Sequence, residues 1–335
     1  MDLAAAHHVV ARLRERLTAA IKGRDDVIEL VLVALLADGH VLLEDFPGSG
    51  KTLLAKTLGD SILDDQPDDN IPGFRRIQFT PDLLPSDVTG VTVFDATTSR
   101  FSFRHGPIFA YVVLADEINR TSPKVQSALL EAMAEKQVTV DNTTWKLDDL
   151  FFVIATQNPL DLAGTYPLPV AQLDRFLFKI RMNHVSREAE LEVLLTARER
   201  RAGVPEALAR VGRAEVVAAR RACHEGVSLT HAVHEALVDI ARAMRADQRV
   251  VQGASTRSLV MALPALQARA MIRGRDYVGP EDIDALLIPI FGHRLELQPG
   301  ESEPAEVIQE CAAPTLERMA RMRTASPNTS NPSIV

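Results

Sequence analysis

The stretch E-D-F-P-G-S-G-K-T-L, from Glu44 to Leu53, decides the fold. It follows an apolar run over residues 40–43 that predicts a buried strand, and it precedes a helical pattern over residues 53–58. A strand, a glycine-rich turn and Lys-Thr at a helix start form the arrangement that wraps the phosphates of a nucleotide. Backbone N–H groups and the positive end of the helix then point at one spot. An ordinary strand–turn–helix corner is the alternative for this segment taken alone.

The predicted phosphate contacts come from the turn and from the first helical positions. Lys51 is expected to reach the outer phosphates, and the Thr52 hydroxyl is expected to bind Mg²⁺. Asp45 stands where the strict G-x-x-x-x-G-K-[ST] pattern has its first glycine, but that position only starts the turn. The predicted nucleotide-binding residues of this segment are Pro47, Gly48, Ser49, Gly50, Lys51, Thr52 and Leu53.

Length and composition limit the classes of protein to consider. The chain has 335 residues, about right for two domains, and 46% of them are apolar. The net charge of −8 argues against a protein that coats nucleic acid. The two cysteines, Cys223 and Cys311, form no C-x-x-C pair, and no apolar run approaches the ~20 residues that span a bilayer. We therefore expect a cytoplasmic protein that does not insert into membranes.

The first half of the chain predicts an α/β layered domain. Five short apolar runs read as strands of a parallel sheet buried on both faces, with helical patterns between them. They cover residues 41–43, 75–79, 111–115, 151–155 and 176–180. Alternating patterns around polar turns predict two hairpins, over residues 91–104 and 137–147.

The character of the sequence changes near residues 183–186, and the second half predicts helices only. Their expected spans are 187–201, 214–224, 231–246, 257–273 and 280–288. We expect a nucleotide-binding domain over residues 1–184 and a helical domain over 185–323. The remainder, 324–335, is rich in Ser, Pro and Asn and is expected to be disordered.

Two further segments predict chemistry beside the phosphates. The apolar run Y-V-V-L-A ends in Asp116 and Glu117. Asp116 is expected to complete the Mg²⁺ shell, and Glu117 to accept a proton from an attacking water. This pairing favours hydrolysis of the γ-phosphate, although two solvated acids at a strand end are the alternative. In F-F-V-I-A-T-Q-N-P (151–159), a polar residue after the strand is placed to orient water.

Several longer motifs closely resemble those of the MoxR family of AAA+ ATPases. They are L-A-D-E-I-N-R (114–120), S-A-L-L-E-A-M (127–133), A-T-Q-N-P (155–159), G-T-Y-P-L-P (164–169), A-Q-L-D-R-F-L-F-K (171–179), Q-F-T-P-D-L-L-P-S-D-V-T-G (78–90) and G-P-I-F (106–109). The match covers about residues 23–179 and resumes more loosely beyond. It implies a P-loop AAA+ αβα domain with a five-stranded parallel sheet, followed by an all-helical lid. In this family the first glycine of the loop is often absent, as it is here.

The resemblance also implies roles for three residues. Asn158 is the expected first sensor, and Arg175 the arginine finger that a neighbouring subunit inserts toward the γ-phosphate. Arg257 matches the second-sensor arginine of the lid, although Thr256 stands where the family more usually has Pro. Without the resemblance, Arg175 reads as a surface salt bridge and Arg257 as a solvated helix residue. Arg120 stays open as a second finger beside Arg175.

The function that the resemblance implies is ATP hydrolysis coupled to remodelling of other proteins. ATP and Mg²⁺ are the expected cofactors, and a ring of identical subunits, a hexamer, is the expected assembly. ATP would tie the lid to the α/β domain through Arg257 and each subunit to its neighbour through Arg175. A von Willebrand factor A domain protein is the expected partner. A DNA-dependent motor and a nucleotide-gated scaffold with little turnover stay open; the acidic balance counts against the first and the intact Asp116 and Glu117 against the second.

Overall fold

The computed structural model describes residues 1–45, 49–65, 71–97, 99–158, 164–201, 203–300 and 303–325. Two of the predicted phosphate contacts, Pro47 and Gly48, lie outside these residues, as do residues 326–335 of the predicted tail. Among the helices of the described part, none has both the length and the apolar character needed to cross a membrane.

The first half of the chain alternates helices and strands. Its helices are α1 (Leu3–Ala20), α2 (Asp25–Leu36), α3 (Lys51–Asp60), α4 (Pro85–Thr89), α5 (Pro123–Glu135) and α6 (Val170–Leu173). Its strands are β1 (Val41–Asp45), β2 (Ile62–Leu63), β3 (Phe74–Gln78), β4 (Gly90–Asp95), β5 (Arg100–His105), β6 (Val112–Asp116), β7 (Gln137–Val140), β8 (Thr143–Lys146), β9 (Phe152–Gln157) and β10 (Phe178–Met182).

The predicted five-stranded parallel sheet is confirmed. Its strand order is β10-β1-β9-β6-β3, and every neighbouring pair is parallel. All five residues of β6 are buried, as the continuous apolar run predicted. Because the strands are parallel, their carboxyl ends lie together along what we call the carboxyl edge, and their amino ends along the amino edge. The sheet therefore presents two distinct surfaces to ligands and neighbours.

Both predicted hairpins are present. The first pairs β4 with β5, with Phe94 opposite Phe101, and the second pairs β7 with β8. Phe103 of the first hairpin stacks on Trp145 of the second, with 4.4 Å between the ring centroids. The two hairpins consequently contact each other beside the sheet.

The second half of the described chain is mainly helical, as predicted. Its helices are α7 (Arg187–Leu195), α8 (Ala197–Arg201), α9 (Arg213–Gly226), α10 (His231–Ala246), α11 (Thr256–Ile272), α12 (Pro280–Phe291) and α13 (Pro304–Ala325), with short strands β11 (Val211–Gly212), β12 (Val250–Gln252) and β13 (Glu296–Leu297). The single helix predicted over 187–201 is interrupted at Thr196. Helix α13 was not predicted, and it continues to Ala325, past the expected start of the tail at 324.

The N-terminal helices α1 and α2 were also missed, and they join the two halves of the chain. They pack on α9 and α11, and one apolar cluster includes residues of α1, α2, the sheet and the C-terminal helices. Arg220 of α9 is buried and donates to the Leu35 carbonyl of α2 at 2.7 Å. The division into domains at residues 184 and 185 remains a proposal, since the apolar core extends across it.

Candidate functional site

The predicted phosphate site lies at the carboxyl edge, where β1 ends at Asp45 and α3 begins at Lys51. Gly50 precedes the helix with a left-handed φ of +94°, which side chains rarely adopt. The Ser49 Oγ is buried and has no hydrogen-bond partner within the described part of the chain. Thr52 is exposed on the first turn of α3. A helix start with unpaired N–H groups and an unsatisfied hydroxyl suits an anion.

Asp116 and Glu117 follow β6 at the same edge and are held differently. Asp116 Oδ1 accepts from the Thr156 hydroxyl at 2.6 Å, and its Oδ2 accepts from Arg76 Nε at 3.1 Å. Glu117 adopts a left-handed φ of +59°, which costs a non-glycine residue about 1 kcal/mol or more. Its Oε2 accepts from Gln78 Nε2 at 2.8 Å and lies 3.5 Å from Arg120 Nη1. The two carboxylates therefore have separate partners, as separate roles require.

The arrangement fits a magnesium ion that arrives with a nucleotide. Within the described residues, no group of three or more His, Cys, Asp or Glu side chains forms a metal site by itself. Mg²⁺ commonly uses one or two protein oxygens together with substrate phosphates and water. Asp116 and Thr52 are the residues that would supply those oxygens. The Arg76 guanidinium neutralises Asp116 Oδ2 in this structure. A bound Mg²⁺ would replace that guanidinium as the positive charge beside the carboxylate.

Glu44 joins three strands beside the turn. It accepts hydrogen bonds from Gln157 of β9 at 2.9 Å and lies 2.9 Å from Lys179 and 3.2 Å from Arg181 of β10. Burial acts to raise the pKa of Glu44, but bonding to Lys179, Gln157 and Arg181 holds it below its usual value. Asn158 directly follows Gln157, so the predicted first sensor stands at the same carboxyl edge.

A cavity of about 440 Å³ opens beside the phosphate site. Ser49, Gly50 and Leu53 form the wall nearest the phosphates. The remaining lining residues come from the α1–α2 connection, the segment after β10, and α7 and α8: Ile21, Lys22, Arg24, Met182, Asn183, His184, Val185, Glu190, Val193, Leu194 and Arg200. This mixture of apolar and cationic groups next to a phosphate site has the size and chemistry to hold the base and sugar of a nucleotide.

Close packing at Gly23 shapes this cavity. Gly23 has a φ of +67°, and a Cβ there would lie 2.4 Å from the Cβ of Ala189 on α7. A larger residue would push α7 away from the α1–α2 connection. The glycine therefore sets the distance between two walls of the cavity.

Arg175, the predicted finger, lies at the opposite edge of the sheet. It precedes β10, and Leu177 donates to the carbonyl of His40, just ahead of β1. The five residues of β1 separate that point from the phosphate turn, which at ~3.3 Å per residue is about 16 Å. The Arg175 Nη1 donates to the Leu130 carbonyl at 2.7 Å. The structure thus does not bring Arg175 to its own phosphate site.

The segment that carries Arg175 is clamped by Arg294, which follows α12 and is only 3% exposed. Arg294 donates to the Asp174 carboxylate at 2.6 Å and to the Phe176 and Leu177 carbonyls at 2.7 and 3.2 Å. A buried guanidinium whose N–H groups donate hydrogen bonds in this way holds its partners rigidly in place. It fixes the finger segment to the C-terminal helices.

Arg257, the predicted second sensor, is exposed at the start of α11 and lies near this clamp. Burial lowers the pKa of Arg294, and the positive charge of Arg257 lowers it further, while Asp174 acts in the opposite direction. Met261, one turn after Arg257, lies 3.8 Å from Arg294 through its sulfur. Arg257 is therefore grouped with the segment of Arg175 at the amino edge, whereas the other predicted site residues that the structure describes lie at the carboxyl edge.

Sequence reasoning missed several residues of both edges. Arg76, Gln78 and Thr156 hold the two carboxylates. Lys22 and Arg24 line the cavity, and Arg294 clamps the segment that carries Arg175. Gln78 had a readable signal, since it is a polar residue near the end of the strand predicted over 75–79. In the structure this strand, β3, pairs with the one that ends in Asp116. Nothing in the sequence near Arg294 indicates that it holds Asp174, Phe176 and Leu177, which lie more than a hundred positions away.

Comparison with known proteins adds family information to this geometry. The model of the ATPase family associated with various cellular activities (AAA) matches residues 40–178, and that of the AAA lid domain matches residues 242–325. An uncharacterized Bacillus subtilis protein, YeaC, is 46% identical over 293 residues, 88% of each chain. The chaperone MoxR1 of Mycobacterium tuberculosis is 38% identical over 88% of this chain and 78% of its own. A Cytophaga hutchinsonii crystal structure, described as a candidate ATPase, superimposes with a TM-score of 0.82 at 34% identity, covering 95% and 96% of the two chains.

Proposed function

Since the chain belongs to the MoxR family of AAA+ ATPases, we propose that it hydrolyses ATP to ADP and phosphate with Mg²⁺. The observation that carries this proposal is the grouping at the carboxyl edge. There a helix start and the unsatisfied Ser49 hydroxyl border a nucleotide-sized cavity, and Asp116 and Glu117 follow at the end of β6 on the same edge of the sheet. When bound, Mg²⁺ would neutralise developing charge on the phosphates.

Each residue of the carboxyl edge has a proposed task. The turn, with Lys51, binds the β- and γ-phosphates, while Thr52 and Asp116 hold the metal. Once the Glu117 carboxylate leaves Gln78, it takes a proton from the attacking water. Asn158 orients that water. Gln78 keeps the Glu117 carboxylate in place until then through their 2.8 Å bond.

Completion of the site requires a second subunit. Arg175 precedes β10 at the amino edge, at the opposite end of β1 from its own phosphate turn, and Arg257 lies near the Arg294 that holds this segment, so each would serve the triphosphate of a neighbour. This differs from the expectation that Arg257 ties its own helical part to its own nucleotide. A ring, proposed as a hexamer, places one subunit's amino edge against the next subunit's carboxyl edge at every interface.

We propose that such a ring uses ATP hydrolysis to remodel partner proteins. A relative at 38% identity is named a chaperone, which supports this class of activity. Hydrolysis would release the contacts of Arg175 and Arg257 and change the ring's shape. We propose that the ring acts in the cytoplasm and that a von Willebrand factor A domain protein is one of its partners.

The experiment that tests the proposal compares two lysines of α3. Lys51→Ala should weaken ATP binding by about a hundredfold or more, because the phosphates lose their main cation. Lys56→Ala, at an exposed position of the same helix, should bind as the wild type does. Titration with a fluorescent ATP analogue measures both affinities. Equal binding by the two variants would contradict the assignment of the phosphate site.

A further inference from the structure

A second cavity, of about 470 Å³, lies next to the nucleotide-sized cavity. Helices α1, α3 and α8 and the connection from α8 to β11 form its walls, and we call it the α1–α3 cavity. The two cavities share Lys22, Leu53 and Arg200, but Ser49 and Gly50 of the phosphate site line only the first. The α1–α3 cavity is therefore a neighbour of the proposed ATP site and not part of it.

The lining of the α1–α3 cavity carries an excess of positive charge. Its described basic residues are Arg16, Lys22, Lys56, Arg200 and Arg210, and its described acidic residue is Asp60. Lys22 has its own counter-ion, since Glu192 lies 3.2 Å from its Nζ. Among the described lining residues, four cations thus remain for one carboxylate, although the whole chain has a net charge of −8. A concave surface with such an excess concentrates anions.

Arg16 of α1 is the most buried of these cations. It is only 4% exposed, and it donates through Nε to the Ser61 hydroxyl at 2.8 Å and through Nη1 to the Leu208 carbonyl. Its Nη2 donates to no group in the described part of the chain, although the residue lines the cavity. A buried donor without an acceptor costs free energy, so this nitrogen favours a ligand that brings one.

Arg210 brings a second positive charge close to Arg16. Burial lowers the pKa of Arg16, and the charge of Arg210 lowers it further, while Asp60 acts in the opposite direction. The Arg210 side chain is exposed and forms no hydrogen bond or ion pair with the residues that the structure describes; only its carbonyl accepts, from Arg12. Because like charges repel, an anion between the two guanidinium groups would be stabilised by both.

The side chains of the lining also indicate the kind of anion. Guanidinium groups bind phosphate oxygens two at a time, in a fixed fork geometry. The described lining contains no aromatic ring on which a nucleotide base could stack. Its cations come from three helices and a connection, so a ligand with two phosphate groups reaches more of them than a ligand with one.

We propose that the α1–α3 cavity binds a small anion with two or more phosphate groups, held by Arg16 and Arg210. This site goes beyond the proposed ATP hydrolysis and does not depend on it, because the phosphate turn is not part of the cavity. A bound ligand would join α1 to the connection that leads from α8 to β11.

Calorimetric titration of inorganic pyrophosphate into the Lys51→Ala chain tests the site, because this substitution removes the main cation of the ATP phosphate site. Pyrophosphate should still bind. Adding Arg210→Ala should raise its dissociation constant at least ~tenfold, since a charged hydrogen-bond donor is lost. Adding Arg198→Ala, at an exposed position of α8 outside the described lining, should leave the constant unchanged. Arg210 is preferred to Arg16 for substitution, because Arg16 also bonds to Ser61 and Leu208.

Two further ligands define the chemistry of the site. Orthophosphate should bind at least ~tenfold more weakly than pyrophosphate, because one phosphate group reaches fewer cations; equal affinity would contradict a site for two phosphate groups. Fructose 1,6-bisphosphate represents an organic source of the same groups. Whichever of the two diphosphorylated ligands binds more tightly identifies the source, and its loss in the Arg210→Ala chain supports the site.

The outcomes separate this inference from the proposed function. Absence of pyrophosphate binding to the Lys51→Ala chain, or equal binding by the Arg210→Ala and Arg198→Ala chains, would overturn the anion site and leave ATP hydrolysis untouched. A Lys51→Ala chain that binds ATP as the wild type does would contradict the ATP phosphate site instead. Pyrophosphate binding that still depends on Arg210 would support the anion site even then.

Discussion

The two edges of the central sheet differ in what holds them together. At the carboxyl edge, Asp116 and Glu117 are held by residues of neighbouring strands, Arg76, Gln78 and Thr156. At the amino edge, the segment before β10 is held by Arg294 from the C-terminal helices. The first edge is built within one layer, whereas the second depends on how two parts of the chain pack. Movement of the helices should therefore affect the amino edge first.

The difference also separates the two halves of the proposed reaction. Acids and a helix start at the carboxyl edge suit a magnesium–triphosphate, while arginines at the amino edge suit the same ligand on another subunit. Each subunit would then contribute to two nucleotide sites: its carboxyl edge to its own site and its amino edge to the site of a neighbour. Substitutions at each edge test this separation.

The largest expected effect is that of Arg175→Ala. Turnover should fall by about 10³- to 10⁵-fold, since the finger stabilises transition-state charge, while ATP affinity stays near that of the wild type. Steady-state phosphate release and analogue titration measure the two quantities.

Mixing variants tests whether Arg175 acts on a neighbour. Arg175→Ala and Lys51→Ala chains should each be inactive, yet mixed rings should recover turnover wherever an intact phosphate site meets an intact finger. A mixture as inactive as its components would contradict action between subunits and would place the finger elsewhere, with Arg120 the next residue to test.

Glu117→Gln should reduce turnover by about 10²- to 10⁴-fold while leaving ATP bound, because the amide cannot take a proton from water. Single-turnover hydrolysis and nucleotide retention on a desalting column measure both effects. Gln78→Ala is the informative companion, since it frees Glu117 without removing its carboxylate. Turnover unchanged in Glu117→Gln would favour the nucleotide-gated scaffold.

Arg294→Leu should lower the free energy of unfolding by about 3–5 kcal/mol, since it leaves Asp174 and several carbonyls without their donor. Among the folded molecules, turnover should fall more than ATP affinity, because Arg175 loses its fixed position. Urea unfolding and kinetics measure these effects, with Arg242→Leu, an exposed position of α10, as the control. Equal losses of affinity and turnover would contradict the separation of the edges.

His40 should make the amino edge sensitive to acid. Its Nδ1 accepts from the Val153 N–H at 3.1 Å, so its Nε2 carries the proton and donates to the Met133 carbonyl at 3.2 Å. Burial lowers the pKa of His40 to about 4, although the bond to Met133 opposes this. The folded protein keeps this ring neutral, whereas the unfolded chain protonates it near pH 6.5.

The sign of the pH effect follows from these two values. As the pH falls from about 6.5 to about 4, the unfolded state binds the proton first, and stability falls by at most about 3 kcal/mol. Urea unfolding at pH 7.5, 6 and 5 measures this slope, and His40→Gln should reduce it. A variant slope equal to that of the wild type would show that His40 does not contribute.

The parts of the fold that were predictable are those encoded by local patterns. Five short runs, several of them continuously apolar, became the five sheet strands, and alternation predicted both hairpins. Helices α1, α2 and α13 were missed, although α1 and α2 carry the apolar faces that pack on α9 and α11. A periodic face indicates that a helix is buried, but it does not say against which partner.

The sequence by itself determined the glycine-rich segment ahead of α3, the Asp–Glu pair after a strand and the order of both along the chain. Those features depend on backbone geometry and on residues a few positions apart. Only the tertiary structure decided which edge each arginine occupies, that Arg294 clamps the finger segment and that α7 closes a nucleotide-sized cavity. These contacts join residues far apart in the chain, and their geometry depends on how the whole apolar core packs.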